Sequence, residues 1–224
     1  MYNKKNVSVE LNSDADESVF NEIFVERDYK LLEEIIKNAN NPIIDVGAHI
    51  GLFSIYARTL NQSVMIFAYE PEEKNFKSLK ENFGLNHIEK NVVVRNLAVS
   101  ATEGMLTLYI SQDSHNHSLV QSTENSKKVQ ATTLQKILQK AGTCDLVKMD
   151  CEGAEFEIIK SMTKEDFGKI KNIYIEYHEY ASDLKGTDIK QILEKNGFKT
   201  KLTLSPYDKR MGFIFASSPK AAVQ

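Results

Sequence analysis

The stretch Ile43–Ala57, IIDVGAHIGLFSIYA, decides how the rest of the chain is read. It opens with an apolar run from Pro42 to Gly47, the length of a strand buried on both faces. From about Ile50 to Leu60 the pattern changes, and Leu52, Ile55, Tyr56 and Leu60 recur at helical spacing. Gly47 permits a tight turn and close approach of a ligand to the backbone, and Gly51 lets the following helix pass closely. A strand, a glycine turn and a helix in immediate succession begin a βαβ crossover. The string is not the G-x-G-x-x-G dinucleotide fingerprint, and no G-K-[ST] phosphate loop occurs anywhere. A pyrophosphate cradle is therefore disfavoured.

Outward from this unit the same alternation repeats. Val64–Glu70 is a second buried run, followed by a helix carrying Phe76, Leu79 and Phe83 that stops near Gly84. Asn91–Val99 is a third run, with a hairpin arm at Met105–Ile110. A strand at Lys128–Ala131 meets a capping box, Thr132-x-x-Gln135, and a helix bearing Leu134, Ile137 and Leu138 that ends before Gly142. Asp145–Asp150 and Asn172–His178 are two further buried runs, each leading to a helix, at Gly153–Met162 and Thr187–Lys195. Phe198–Leu204 and Met211–Ala216 close the chain as strands too near one another for a crossover helix. This order predicts an α/β fold, a doubly wound, Rossmann-like, mostly parallel sheet with helices on both faces and an antiparallel strand at the end.

Residues 1–40 stand apart as a helical extension, with amphipathic pieces at Ser18–Phe24 and Tyr29–Lys37. A cap on the sheet is the simpler reading, and a lid that uses Phe24 or Tyr29 is the sharper one. No Pro/Gly/Ser-rich linker separates this segment from residues 41–224, so one globular unit is expected.

The 224 residues are 42% hydrophobic and 26% charged, with a formal net charge of -3, proportions that exclude collagen, coiled coil and intrinsic disorder. The near-balanced charge argues against a nucleic-acid partner. No stretch reaches the roughly 18 apolar residues of a membrane span. Lys4 and Lys5 are followed by polar sequence where a secretory signal would carry an apolar segment. Cys144 and Cys151 form no disulfide framework, so a reducing, cytoplasmic setting is expected. Nothing in the sequence specifies an oligomer.

Open α/β sheets bind ligands beyond the carboxyl ends of their strands. Those ends carry Asp45 with the loop Gly47, Ala48, His49 to Gly51; Glu70 and Pro71; Asn96, Leu97 and Ala98; Asp150 and Glu152; and Glu176 and His178. An acid at the end of the second strand, Glu70, can accept both hydroxyls of a ribose. Its structural alternative is a helix N-terminal acid before Pro71. Glycines and acids without a Lys/Arg clamp suit a nucleoside that lacks phosphate.

The strings IIDVGAHIGLFSIYA, YEP at Tyr69–Pro71 and VKMDCEGAEFEII at Val147–Ile159 resemble the FkbM-like family of S-adenosylmethionine-dependent methyltransferases. The likeness runs from about Val19 to Phe215. It implies a seven-stranded sheet with the last strand antiparallel. It also implies that Asp45, Gly47, Ala48, His49 and Gly51 hold the methionine end of S-adenosylmethionine, Glu70 and Pro71 the ribose, and Asn96 to Ala98 the adenine side. At position 49 this chain has His where the family has a smaller polar residue, often Asn.

Asp150, Glu152, Glu176 and His178 are the candidate catalytic residues, because a hydroxyl acceptor must lose a proton as it takes the methyl group. Asp150, Glu176 and His178 have ligand types that could instead hold a divalent metal, but their spacing names no ligand set, and no metal ligand is assigned. Glu155 is read as a first-turn helix acid, and Cys151, flanked by acids, as a packing residue. The polar loop Ser111–Ser118 is the preferred acceptor-binding segment, and Lys164–Lys171 a solvated face. The expected partner is a small molecule, a sugar, glycan precursor or natural-product intermediate. An NAD-linked oxidoreductase and a non-catalytic cofactor-binding module are the competing readings.

Overall fold

A computed structural model describes residues 2–4, 7–110, 118–120, 125–206 and 208–219. The chain opens with two short antiparallel strands, β1 (Tyr2–Lys4) and β2 (Val7–Val9), which the sequence pattern did not predict. Helix α1 (Asp14–Asn21) is capped by Ser13, whose side chain accepts the Asp16 N–H, and three acids complement its N-terminal dipole. A π turn (Glu22–Glu26) and a 3-10 turn (Asp28–Leu32) meet at Arg27, which has a left-handed backbone, and lead into α2 (Glu33–Lys37).

The crossovers follow: β3 (Ile43–Val46), α3 (Leu52–Leu60), β4 (Ile66–Tyr69), α4 (Glu73–Leu85) and β5 (Val92–Arg95). Next come β6 (Ala98–Ser100), β7 (Gly104–Tyr109), β8 (Ser126–Thr133) and α5 (Leu134–Ala141). The chain continues through β9 (Leu146–Met149), α6 (Glu155–Ser161), α7 (Lys164–Phe167) and β10 (Asn172–His178), then α8 (Gly186–Lys195), β11 (Lys199–Leu204) and β12 (Met211–Ser217).

The main sheet has seven strands in the order β11-β12-β10-β9-β3-β4-β5. Its five strands from β10 to β5 are joined by four parallel pairings, and β12 runs antiparallel to both β10 and β11. The doubly wound sheet with its antiparallel last strand is therefore the observed fold. One face is covered by α5, α6 and α8 through Leu134, Ile137, Phe156, Ile159, Ile189 and Leu193. The other face is covered by α3 and α4 together with the N-terminal segment, which contributes Phe20, Ile23, Leu32 and Ile36 to the same core.

Two local expectations are corrected and one is made specific. The run Asn91–Val99 is not one strand: it breaks at Asn96, and β6 leaves the main sheet to pair in parallel with β8. The arm at Met105–Ile110 does form a hairpin, but with β8, giving a separate three-stranded sheet β6-β8-β7. The cap of α5 is Thr133, not Thr132, because β8 extends through Thr133, whose side chain accepts the Lys136 N–H. Within the lysine-rich stretch, Thr163 and Asp166 form a capping box that makes Lys164–Phe167 a helical turn.

The N-terminal segment is tied down by specific bonds. Glu33 accepts the Tyr56 hydroxyl at 2.7 Å and pairs with Arg27. Asn82 of α4 and Asn86, which caps its C-terminus, bond the backbone of Glu10 and Ser8. Phe24 stacks on Phe20 and meets Tyr56 edge-on, so it lies against α3.

Candidate active site

β3 stands where the connections diverge, with β4 on one side and β9 on the other, and a cleft opens beyond the carboxyl ends of these strands.

The loop between β3 and α3 forms one rim. Gly47, His49 and Gly51 all have positive φ, at 73°, 50° and 89°. The loop carbonyl of Gly47 accepts a hydrogen bond from Lys148 Nζ at 2.9 Å. The His49 N–H donates to Glu70 Oε2 at 2.8 Å, and the Glu72 N–H donates to Oε1 at 2.9 Å. Glu70, only 5% exposed, thus lines the cleft with its carboxylate held by two backbone groups. Burial pushes its carboxyl up to about 7, against the pull of those N–H donors.

Gly47, Ala48, His49, Glu70, Pro71 and Ala98 of the expected cofactor set line this cleft. Asp45, Gly51, Asn96 and Leu97 do not, and each has another task. Asp45 is buried beneath the loop, accepts the Ser54 hydroxyl at 2.7 Å and faces Lys148 Nζ at 3.4 Å. Gly51 lies against Leu79 and Phe83, where a Cβ would come within 2.8 Å of a ring carbon. Asn96 donates to the carbonyls of Glu70 and Pro71, fixing the acid-bearing turn. Leu97 packs on the core. His49 explains its departure from the family pattern in part: its left-handed backbone favours Asn, and its imidazole instead reaches Asp16 of α1 at 3.4 Å.

Lys148 is the residue that the sequence reading missed. It sits in the buried strand β9, opposite Asp45 in the register, with its side chain 5% exposed. Burial opposes its charge, yet Asp45, Asp150 and Glu176 hold the ammonium well in place by raising its pKa. Asp150 Oδ2 lies 3.8 Å from it, so one cation joins the cofactor-loop side of the cleft to the acid-rich side. A lysine inside the apolar run LVKM was the available signal.

The acid-rich side gathers the remaining candidates. Asp150 and Glu152 line the cleft, while Glu176 and His178 stand immediately behind them. His178 Nε2 is 3.7 Å from Glu152 Oε1 and 4.0 Å from Glu176 Oε1, and Nδ1 is 3.4 Å from Glu155 Oε1. Burial disfavours the imidazolium, but the carboxylates of Glu155, Glu152 and Asp150 outweigh it and push His178 up to about 10. Burial raises Glu152 to about 7, and burial with Asp150 raises Glu176 well above the carboxylate range. Glu152 has a left-handed backbone, φ 54°, and is pinned by the Tyr180 hydroxyl on Oε2 at 2.7 Å and the Ser118 hydroxyl on its carbonyl.

Glu155 accepts the N–H groups of Cys151 and Gly153 and so locks the turn after β9. Cys151 is buried enough that its thiol is pushed well up, which suits packing and not nucleophilic chemistry. Tyr29, from the N-terminal segment, lines the cleft and packs edge-on against Phe53 and Tyr174. The acceptor loop expected at Ser111–Ser118 lies outside the described residues except for Ser118, but the neighbouring Leu119 lines the cleft. No helix among the described residues is long and apolar enough to cross a membrane.

Comparison with known proteins gives this geometry its family. Methyltransferase sdnD of Sordaria araneosa is 27% identical over 215 residues, covering 80% of this chain and 81% of its own. Hexuronic acid methyltransferase AglP of Haloferax volcanii is 25% identical over 175 residues, covering 77% and 69%. The crystal structure of methyltransferase FkbM from Methylobacillus flagellatus superimposes with a TM-score of 0.56 at 14% identity, over 79% of this chain and 43% of that one, a likeness of fold. The family model for the methyltransferase FkbM domain matches residues 45–200, from the acid of β3 into β11, and the chain belongs to the FkbM methyltransferase family.

Proposed function

We propose that this chain transfers a methyl group from S-adenosylmethionine to a hydroxyl of a small acceptor, a sugar, glycan precursor or natural-product intermediate. The observation that carries this reading is the buried Glu70 carboxylate in the wall of the cleft, held by two backbone donors beside a glycine loop whose neighbouring cation, Lys148, is already engaged by Asp45 and the Gly47 carbonyl. The similarity to AglP, a hexuronic acid methyltransferase, supports the sugar class.

The cleft residues fit the cofactor group by group. Glu70 would accept the ribose hydroxyls, the backbone of Gly47 to His49 would meet the amino-acid end, and Ala98, Val99 and Leu119 would flank the base. When bound, S-adenosylmethionine supplies an electrophilic methyl group on sulfur. The protein's part is alignment, worth up to about 7–11 kcal/mol, and removal of the hydroxyl proton, worth about 10²–10⁴-fold. Tyr29 offers an aromatic face for an acceptor ring, and Asp150 and Glu152 present carboxylates where that proton must leave.

Glu70→Ala is expected to weaken S-adenosylmethionine binding by about 2 kcal/mol through loss of charged hydrogen bonds. Calorimetry that returns an unchanged affinity would remove the ribose assignment, and a chain that binds NAD instead would remove the methyltransferase cofactor.

A pH dependence follows from the same group. Glu70 must be ionised to accept two hydroxyls, and its carboxyl stands at about 7 in the free protein. Affinity should therefore be full above pH 8 and about tenfold weaker near pH 6, with proton release on binding at neutral pH. Folding stability has the opposite trend: it is fullest below the ordinary value of 4.5 and declines as pH rises through about 7. Glu70→Gln should flatten both profiles, and an affinity that does not change between pH 6 and 8 in the unaltered protein counts against this role.

Asp150→Asn should keep cofactor affinity while turnover falls by about 10²–10⁴-fold. Full turnover in that variant would move proton removal elsewhere.

A further inference from the structure

His178 is buried to 1% exposure at the end of β10; its Nδ1 faces Glu155 Oε1 at 3.4 Å without a well-formed hydrogen bond, and its Nε2 faces Glu152 and Glu176 at 3.7 and 4.0 Å, beyond hydrogen-bond reach. A buried polar ring without hydrogen bonds is costly and calls for a ligand. One ligand atom each from Asp150, Glu152 and His178 lie within 4.8 Å of one another. An octahedral ion with donors about 2.1 Å away places neighbouring donors about 3.0 Å apart and opposite donors about 4.2 Å apart, so a small inward closure completes a site.

We propose that Asp150, Glu152 and His178 hold a divalent cation, of the Mn²⁺ class, at the acceptor end of the cleft. Two carboxylates with one imidazole match the mixed oxygen and nitrogen preference of that class. The surrounding residues have the arrangement of an outer ligand shell. Glu155, fixed by the Cys151 and Gly153 N–H groups, lies 3.4 Å from His178 Nδ1, and orients the ring so that Nε2 is the free donor. Tyr180 occupies Glu152 Oε2 at 2.7 Å, and Glu152 Oε1 is the oxygen turned toward His178.

The ion's role rests on the methyl-transfer reading: there it would bind the acceptor hydroxyl and lower its pKa, in place of a free carboxylate base.

The test titrates Mn²⁺ into the full chain, followed by electron paramagnetic resonance, with S-adenosylmethionine titrated in parallel. One saturable Mn²⁺ per chain is expected, weakened at least about tenfold in His178→Ala and in Asp150→Asn, and about 10–100-fold in Glu155→Gln. Cofactor affinity should be unchanged in all three. The absence of saturable binding up to about 1 mM, or equal binding in the wild type and Asp150→Asn, overturns the site. Asp150, with its side chain 31% exposed, provides the deciding variant if His178→Ala does not fold. Cofactor binding without Mn²⁺ binding leaves the methyltransferase reading and removes the ion. Mn²⁺ binding without cofactor binding does the reverse.

Discussion

Gly47→Ala is expected to lower folding stability by about 3–5 kcal/mol, from the left-handed backbone and the overpacking together. Gly47 has φ +73°, and a Cβ built on it would stand 1.7 Å from the carbonyl oxygen of Asp150. That neighbour is backbone, so relief requires β3 and β9 to part at their carboxyl ends, where the Asp150 N–H bonds the Val46 carbonyl at 3.1 Å. Since a domain's whole stability is about 5–15 kcal/mol, much of the variant should be unfolded or loosened at 37 °C. Urea denaturation measures the loss, and a variant within about 1 kcal/mol of the wild type would show that the turn can yield. Gly51→Ala provides the comparison: its Cβ would meet the Phe83 and Leu79 side chains, which can move, so the cost should be smaller despite φ +89°.

Lys148→Met should cost about 3–5 kcal/mol, because it leaves Asp45 buried with the charge of its partner removed. The ammonium contacts Asp45 and the Gly47 carbonyl, and methionine keeps the length of the stem without the donor. Asp45→Asn combined with Lys148→Met should recover most of the loss, since replacing both members of a buried pair is often close to neutral. The two single variants and the double variant form a thermodynamic cycle. A single-variant loss under about 1 kcal/mol would mean that the pair is solvated in solution.

The parallel sheet was legible because its strands are buried on both faces and read as mainly apolar runs between helices, each broken by one charge in Ile43–Val46 and Leu146–Met149. The same feature hid the break between β5 and β6, since Val94 and Val99 are equally apolar and only the pairing partner differs. The hairpin of β1 and β2 has strands of three residues, too short to show a period. In the cleft, Glu70, Asp150 and Glu152 were legible as polar residues at strand ends. Asp45 occupies the same kind of position, but its exposure depends on what lies above it, and Ser54 and Lys148 cover it. Lys148 was illegible for a related reason: an isolated lysine gains meaning only from a register that sets it opposite Asp45. Tyr29 was named only as a lid candidate, because a distant helical segment carries no marker of the strand ends it will reach.

The departure of β6 from the main sheet bears on how this scaffold tolerates change. Ala98 and Val99 line the cleft, but their strand ladder is with β8 in the smaller sheet, and Leu119 lies in the segment that joins β7 to β8. The cleft therefore has one wall whose backbone is independent of the rungs that align Gly47, Glu70 and Asp150. Insertions and deletions between β7 and β8 can recontour the chamber without shifting the register of a single strand in the seven-stranded frame.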